Sequence, residues 1–172
     1  MKLFGITGWK NAGKTTLMVA LIGLLTARGL RVATVKHAHH NFDIDHEGKD
    51  SFRHRMAGAT EVIVSSASRW ALIHENRGQG ADEGADEEEA RLEDLLAHLS
   101  PDIDLVLVEG FKSGAHEKIQ VYRGQENETL LAPQDKSVVA VATDQQLEGV
   151  LTLPLDDPGA IADFILARVG LD

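Results

Sequence analysis

Apolar and polar positions alternate along this chain in a way that predicts strands and helices in turn. Short apolar runs, typical of buried strands, are separated by stretches with apolar residues at helical spacing. Strands are predicted at residues 3–7, 31–36, 61–65, 70–74, 103–108, 119–122, 138–142 and 151–153. Helices are predicted at residues 16–28, 49–57, 86–99 and 157–168. This order is typical of an α/β fold, a three-layer α/β/α sandwich around a mostly parallel sheet.

Three segments depart from the simple alternation. Only four residues separate 61–65 from 70–74, which predicts one antiparallel hairpin. Trp70 is expected either to pack in the core or to let the hairpin extend the sheet or pair across a dimer. Residues 119–122 are expected to form an edge strand. Residues 76–89 are acidic and glycine-rich, which is typical of a solvated loop, with docking of a partner as the alternative.

Composition and charge limit the class of protein. The 172 residues suit one domain, expected to span 1–172 and to bury roughly 70% of its unfolded surface. A net charge of −10 argues against a general nucleic-acid binder, and no apolar run approaches the ~20 residues of a membrane span. The absence of cysteine excludes disulfides and thiolate chemistry. With no secretory signal before the first strand, a cytoplasmic protein is expected, without nucleic-acid or membrane partners.

The most informative motif is a glycine-rich loop near the N-terminus. Residues 8–15 read Gly-Trp-Lys-Asn-Ala-Gly-Lys-Thr, a complete phosphate-binding loop between a predicted strand and a predicted helix. Gly8 and Gly13 allow successive N–H groups to turn toward a phosphate, and the helix N-terminus adds its positive dipole end. Lys14 can reach the β- and γ-phosphates, and the Thr15 hydroxyl can bind Mg²⁺. The motif predicts binding of a nucleoside triphosphate.

A carboxylate at the end of the apolar strand 103–108 is the second candidate element. Glu109 follows this strand, and ligands of parallel sheets bind at the carboxyl ends of the strands. The pattern resembles a Walker B element, whose acid orders Mg²⁺ or a hydrolytic water, although Asp is commoner there than Glu. The alternative is that Glu109 merely faces solvent.

The third element is a polar block in which five of the eight histidines fall, between residues 37 and 54. Three interpretations stay open. The block forms a zinc site, or a switch-like loop in which Asp43, Asp45 or Asp50 contacts Mg²⁺, or an ordinary polar surface loop. Candidate phosphate contacts in the switch-like interpretation are Lys36, Lys49 and Arg53.

Two further residues bear on the choice of nucleotide and its contacts. Asp144 follows the predicted strand 138–142, where a Ras-type GTPase carries Asn-Lys-x-Asp. Its carboxylate can accept hydrogen bonds from N1 and N2 of guanine, or it can cap a turn or helix. Lys10 lies two positions after Gly8 and can contact phosphate, but its spacing does not match that of a trans-acting lysine.

Three blocks of the sequence together match one known family. They are the loop from Gly8 to Thr16, the Lys-His-Ala-His-His and Gly-Lys-Asp-Ser stretches of residues 36–53 with the Ala-Gly-Ala of 57–59, and the Val-Glu-Gly-Phe-Lys of 108–112. On these blocks the chain resembles the P-loop adaptor proteins of molybdopterin-guanine dinucleotide biosynthesis. The first block is common to many unrelated proteins, and the other two are far more specific.

The resemblance implies a GTP-binding homodimer with weak GTPase activity, and the phosphate-binding motif adds Mg²⁺ as a cofactor. Such a protein assists the molybdenum cofactor guanylyltransferase, which attaches GMP to molybdopterin, and works beside the molybdenum-insertion protein. The alternatives are a small-molecule kinase that uses ATP or GTP and a non-enzymatic module with GTP as a structural ligand. The candidate nucleotide-binding residues are Gly8, Trp9, Lys10, Asn11, Ala12, Gly13, Lys14, Thr15, Thr16 and Asp144. The candidate metal ligands are Thr15, Asp50 and Glu109, and no catalytic residue is identified.

Overall fold

The computed structural model describes residues 1–38, 42–76, 90–111, 114–126 and 128–171. The strands are β1 (Lys2–Gly8), β2 (Val32–Lys36), β3 (Glu61–Ser65), β4 (Trp70–His74), β5 (Leu105–Glu109), β6 (Lys118–Tyr122), β7 (Val138–Thr143) and β8 (Thr152–Pro154). The helices are α1 (Lys14–Ala27), α2 (Asp50–Met56), α3 (Leu92–Leu96) and α4 (Pro158–Val169). The chain forms two compact units, a first unit of Met1–His37 with Leu92–Asp172 and a second unit of Ala38–Arg91.

A six-stranded sheet in the order β2-β5-β1-β6-β7-β8 forms the centre of the first unit. Each neighbouring pair in this sheet runs parallel, which confirms the predicted α/β class. Because β1 lies between β5 and β6, the loop that follows it reaches the carboxyl edge in the middle of the sheet. This is where ligands of open parallel sheets bind.

Helices cover both faces of this sheet. One face packs with α1 and α4, and its buried residues include Phe4, Leu21, Leu107 and Ile161. The other face packs with α3, where Val106 and Val108 meet Leu92. Alternate residues of β5 therefore enter opposite layers, which explains its uninterrupted apolar sequence. None of the helices in the described ranges is both long and apolar enough to cross a lipid bilayer.

The second unit contains α2 and the predicted hairpin. Strands β3 and β4 pair antiparallel from Glu61↔His74 to Ser65↔Trp70, and Ser66 N donates to Arg69 O at 2.8 Å in the turn. They form a separate two-stranded sheet, so the expectation that they extend the main sheet is wrong. Trp70 is 65% exposed, so the expectation that it packs in the core is also wrong. Pairing across a dimer stays a prediction.

Strand β6 is not the edge strand that the sequence predicts. It lies between β1 and β7, and its polar side chains are buried with internal partners. Gln120 Nε2 donates to Thr129 O at 2.8 Å, and Gln120 Oε1 accepts from Leu131 N at 2.7 Å. Lys118 Nζ donates to Gly114 O at 2.5 Å. Lys118 and Gln120 are therefore buried polar residues with hydrogen-bond partners inside the protein, and not residues of a solvent-facing edge.

The other predicted elements agree with the structure within two residues at their ends, except the helix expected at 86–99. In the part that the structure describes, this helix is only α3, and Arg91 is not helical. The bonds from His98 N to Leu95 O and from Leu99 N to Leu96 O span three residues, so the helix ends in a tighter turn. Residues 77–89, with most of the predicted acidic loop, lie outside the described residues.

Gly5 of β1 is a position where no side chain fits. A Cβ added there would lie 2.7 Å from His116 Nε2 and 2.8 Å from Lys118 Cβ, closer than packed atoms allow. We expect Gly5→Ala to lower the free energy of unfolding by about 1–3 kcal/mol, measured by urea denaturation. The matched control is Gly23→Ala, since an added Cβ on Gly23 of α1 meets nothing within 4 Å. That control should raise stability by up to about 1 kcal/mol, and similar losses in both variants would contradict the packing argument.

Candidate functional site

The candidate phosphate-binding loop joins β1 to α1 with a backbone that requires glycine. Gly8, Asn11 and Gly13 have positive φ values of 143°, 65° and 103°. A Cβ on Gly8 would lie 2.5 Å from Val121 O, so the loop leaves the sheet in contact with β6. Gly13 is the left-handed N-cap of α1, and Leu17 N donates to its carbonyl at 3.0 Å. These backbone angles turn the loop directly into the first turn of the helix.

Two side chains hold the loop, one by a bond across the loop and the other by a bond to the segment after β6. Lys14 Nζ donates to Trp9 O at 2.7 Å, across the loop, and Trp9 Nε1 donates to Thr129 O at 3.1 Å. Thr15 and Thr16 are exposed in the first turn of α1, where their hydroxyls can meet a ligand. The lysine and the hydroxyls that the motif requires therefore occur on one short stretch. Of the other loop residues, Lys10 and Asn11 are exposed and Ala12 is buried.

Glu109 is a buried carboxylate beside β1. It pairs with Ile6 in the β1–β5 register and is 8% exposed, so the alternative in which it merely faces solvent does not hold. Lys36 Nζ lies 3.6 Å from Glu109 Oε1, and His37 N donates to Glu109 O at 2.9 Å. Gly110 follows with a φ of 99°, which permits the turn. The carboxyl end of β5 thus carries a buried acid with a cation beside it.

Asp144 follows β7 and is exposed. Its Oδ1 accepts from Gln145 Nε2 at 2.7 Å, and its Oδ2 lies 3.5 Å from Arg123 Nη1. Gln145 N donates to Thr143 Oγ1 at 3.0 Å, so Thr143 rather than Asp144 caps this N–H. Both oxygens of the Asp144 carboxylate are therefore held by side chains.

Arg123 is a site residue that the sequence pattern does not reveal. Its Nε donates to Ala12 O at 3.2 Å, and its Nη1 pairs with Asp144. One side chain thus joins the phosphate-binding loop to the carboxylate after β7. An edge position for the preceding strand would place Arg123 far from both elements. Because β6 lies between β1 and β7, the residue after β6 lies between the phosphate-binding loop and the segment after β7.

In the second unit, Arg55 is the centre of an acidic cluster. Its Nη1 lies 2.9 Å from Asp43 Oδ1 and 3.3 Å from Asp45 Oδ2, and its Nε lies 2.7 Å from Glu75 Oε1. Ser51 Oγ donates to Asp45 Oδ1 at 2.8 Å. Hydrogen bonding to Arg55 lowers the pKa of Asp43, and hydrogen bonding to Asp43 raises the pKa of Arg55. Asp43 and Asp45 therefore both bind Arg55, and this pairing argues against a role for them as Mg²⁺ contacts.

The remaining candidates of the polar block also lie in the second unit. Asp50 is the first residue of α2 and is exposed, as are Lys49 and Arg53. His39 and His40 lie outside the described residues. Across the ranges that the structure describes, no group of three or more His, Asp or Glu side chains is arranged to hold a metal ion. The zinc interpretation gains no support there.

The central strand β1 runs through a loop with left-handed glycines into α1, and the adjacent parallel strand β5 ends in an acid. This combination defines the P-loop class of α/β proteins. Comparison with known proteins narrows this class. The model of the family described as "Molybdopterin guanine dinucleotide synthesis protein B" (MobB) matches residues 3–144. This chain belongs to that family, which confirms the resemblance carried by its three sequence blocks.

Individual relatives and solved structures agree with this family. The molybdopterin-guanine dinucleotide biosynthesis adapter protein of Escherichia coli K12 is 41% identical over 169 residues, covering 95% of this chain and 91% of the relative. The protein of the same name from Haemophilus influenzae is 42% identical over 165 residues, covering 95% and 86%. A crystal structure of molybdopterin-guanine biosynthesis protein B has a TM-score of 0.70 at 29% identity, covering 96% of this chain and 99% of that one.

The Arg55 cluster predicts a pH-dependent contribution to stability. Arg55→Gln leaves Asp43, Asp45 and Glu75 without their shared cation, so we expect faster hydrogen exchange at the backbone amides of β3 and β4. Because the pKa of Asp43 is lowered from 3.8, its pairing contributes stability that is fully present above pH 3.8 and is lost as the pH falls through the lowered value. The difference between variant and wild type should shrink there.

Arg53→Gln is the control for this prediction, because Arg53 is exposed on the same helix. It should leave the exchange of β3 and β4 amides near that of the wild type at every pH. Equal acceleration in both variants would show that the loss reflects α2 in general rather than the cluster.

Proposed function

We propose that this chain is a GTP-binding adaptor with weak, Mg²⁺-dependent GTPase activity in molybdopterin guanine dinucleotide biosynthesis. It assists the guanylyltransferase that attaches GMP to molybdopterin. The observation that carries the nucleotide-binding part is the loop of residues 8–15, with its left-handed glycines and with Lys14 folded across it. The pathway part is supported by the family and by relatives named as adapter proteins of this pathway.

The choice of guanine is supported by Asp144. A carboxylate is acceptor-only when ionised, and the Watson–Crick edge of guanine presents two donors, at N1 and N2, whereas N1 of adenine is an acceptor. Asp144 stands at the carboxyl end of β7, and its carboxylate is already oriented by Gln145 and Arg123. An oriented carboxylate of this kind favours guanine over adenine.

The donor set fits Mg²⁺. This ion prefers oxygen ligands and retains several waters, so it needs only one or two protein groups beside the phosphates. The Thr15 hydroxyl and the Glu109 carboxylate supply such oxygens on the first unit. When bound, Mg²⁺ neutralises phosphate charge. Lys36 balances the charge of Glu109, so a cation bound at Glu109 competes with that ion pair.

Partners are proposed on the same basis. The guanylyltransferase and the molybdenum-insertion protein are the proposed partners, and the adaptor acts as a homodimer. The candidate contacts are large exposed apolar side chains of the second unit, two of them on the β3–β4 hairpin. They include Met56 at 70% exposure, Ile63 at 66% and Trp70 at 65%.

Lys14→Ala tests nucleotide binding directly. We expect wild-type protein with Mg²⁺ to bind GTP in the micromolar range or tighter and ATP much more weakly, and Lys14→Ala to abolish GTP binding in calorimetry. Lys136→Ala is the control, because Lys136 is an exposed lysine just before β7, at the end of the sheet opposite the loop, and this change should leave GTP binding unchanged. A preference for ATP would contradict the role of Asp144 and favour a small-molecule kinase, and binding of neither nucleotide would contradict the proposal.

Glu109→Gln tests the metal site. Removing one charged ligand should raise the Mg²⁺ concentration for half-maximal GTP binding at least about tenfold, measured by titration of Mg²⁺ at fixed GTP. Glu117→Gln is the control, because Glu117 precedes β6 and pairs with Arg168. An unchanged Mg²⁺ requirement in Glu109→Gln would remove this residue from the site.

A further inference from the structure

We propose that Arg123 is a positioning residue for recognition of the base. Its guanidinium is fixed against the phosphate-binding loop and holds the Asp144 carboxylate in the orientation that accepts guanine. The inference rests on the GTP binding proposed above and deepens it, because it assigns part of the discrimination between nucleotides to a residue outside the phosphate-binding motif.

The sheet register puts Arg123 between the two elements that it joins. Within β6, Val121 pairs with Gly8 at the start of the loop, and Tyr122 pairs with Thr143 at the end of β7. Arg123 is the next residue. Because parallel strands end at the same edge, its backbone emerges with the phosphate-binding loop on one side and the segment that carries Asp144 on the other.

The backbone at Arg123 is held in place by a small turn. Arg123 N and Gln125 N both donate to Glu128 Oε2 at 3.0 Å. Gly124 between them has a φ of 67°, a left-handed conformation that favours glycine. One carboxylate oxygen thus closes the turn. The side chain of Arg123 therefore begins from a fixed point rather than from a freely moving loop.

The guanidinium is also anchored at its near end. Arg123 Nε donates to Ala12 O at 3.2 Å, and a Cβ built on Gly13 would lie 3.5 Å from Arg123 Nη2. The planar guanidinium has five donors in a fixed geometry. Anchoring Nε on the loop therefore sets the direction in which the two terminal nitrogens point, and Nη1 points to Asp144 Oδ2 at 3.5 Å.

The Asp144 carboxylate is held on both sides and keeps free capacity. Gln145 Nε2 binds Oδ1 at 2.7 Å, and Arg123 holds Oδ2. An ionised carboxylate offers about four lone-pair sites, so two remain for the N1 and N2 donors of guanine. The side chain of Asp144 is 54% exposed and would otherwise rotate freely. Restricting it before binding lowers the entropy lost on binding the base.

The experiment compares three nucleotides on the intact chain. ITP carries a guanine-like base without the 2-amino group, and ATP presents an acceptor at N1. We measure the dissociation constants of GTP, ITP and ATP with Mg²⁺ by calorimetry for wild type and Arg123→Gln. A loosened Asp144 weakens GTP more than ITP, so we expect the GTP preference over ITP to fall about two- to fivefold, the upper part of the range that an exposed ion pair contributes. ATP should change no more than ITP.

Two further variants sharpen the result. Arg168→Gln is the matched control, since Arg168 is an arginine of almost the same exposure, 44% against 45%, which also pairs with one carboxylate. It should leave the GTP:ITP ratio unchanged. Arg123→Lys keeps the positive charge but cannot reach Ala12 and Asp144 together, so it should lower the ratio as Arg123→Gln does. It also serves as a second test if Arg123→Gln folds poorly.

Two outcomes would overturn the inference. If Arg123→Gln weakens GTP, ITP and ATP by the same factor, Arg123 supports the phosphate-binding loop alone. If no affinity changes, the ion pair has no part in recognition. A wild-type protein that binds GTP no better than ATP would instead overturn the proposed function, and this appears before any Arg123 variant is measured. The two failures are therefore distinguishable.

Discussion

The close approach of β1 to β6 is the constraint on which the candidate site depends. Backbone and Cβ atoms of the two strands lie so near that neither Gly5 nor Gly8 has room for a side chain. This approach fixes where the phosphate-binding loop leaves the sheet. It also brings the residue after β6 against that loop. The two glycines of β1 therefore determine where the phosphate-binding loop and the residue after β6 lie.

A buried polar residue of β6 is connected by hydrogen bonds to the phosphate-binding loop outside the sheet. Thr129 O accepts from Gln120 Nε2 inside the sheet and from Trp9 Nε1 of the phosphate-binding loop. Gln120 is fully buried, and leaving such a group unpaired costs about 1–3 kcal/mol, so the segment around Thr129 is held firmly. The same carbonyl then holds the indole of Trp9. A polar core residue and a surface loop are coupled through one shared acceptor.

Local signals in the sequence predict much of the fold, and interactions between distant residues explain what they miss. The phosphate-binding loop, the buried strand before Glu109 and the hairpin are each specified within a few residues, and the structure contains them. No local signal in the sequence gives the position of β6. Its polar residues Lys118 and Gln120 alternate with apolar ones as in a solvent-facing strand, but their hydrogen-bond partners are backbone groups outside the strand. Arg123 is missed for the same reason. In the second unit, the sequence pattern of Asp43 and Asp45 resembles that of metal ligands, but in the structure both carboxylates pair with Arg55.

The hydrogen bond from Lys14 to Trp9 O has a consequence for how the loop meets a phosphate. The ammonium group already has a protein acceptor at 2.7 Å, and its direction along the loop is set by that bond. In the proposed function, an arriving phosphate oxygen would replace Trp9 O as the acceptor of Lys14, so the ammonium group would exchange a protein acceptor rather than a shell of water. Release of the phosphate would reverse this exchange. The carbonyl of Trp9 would thus hold the place of a phosphate oxygen whenever no phosphate is bound.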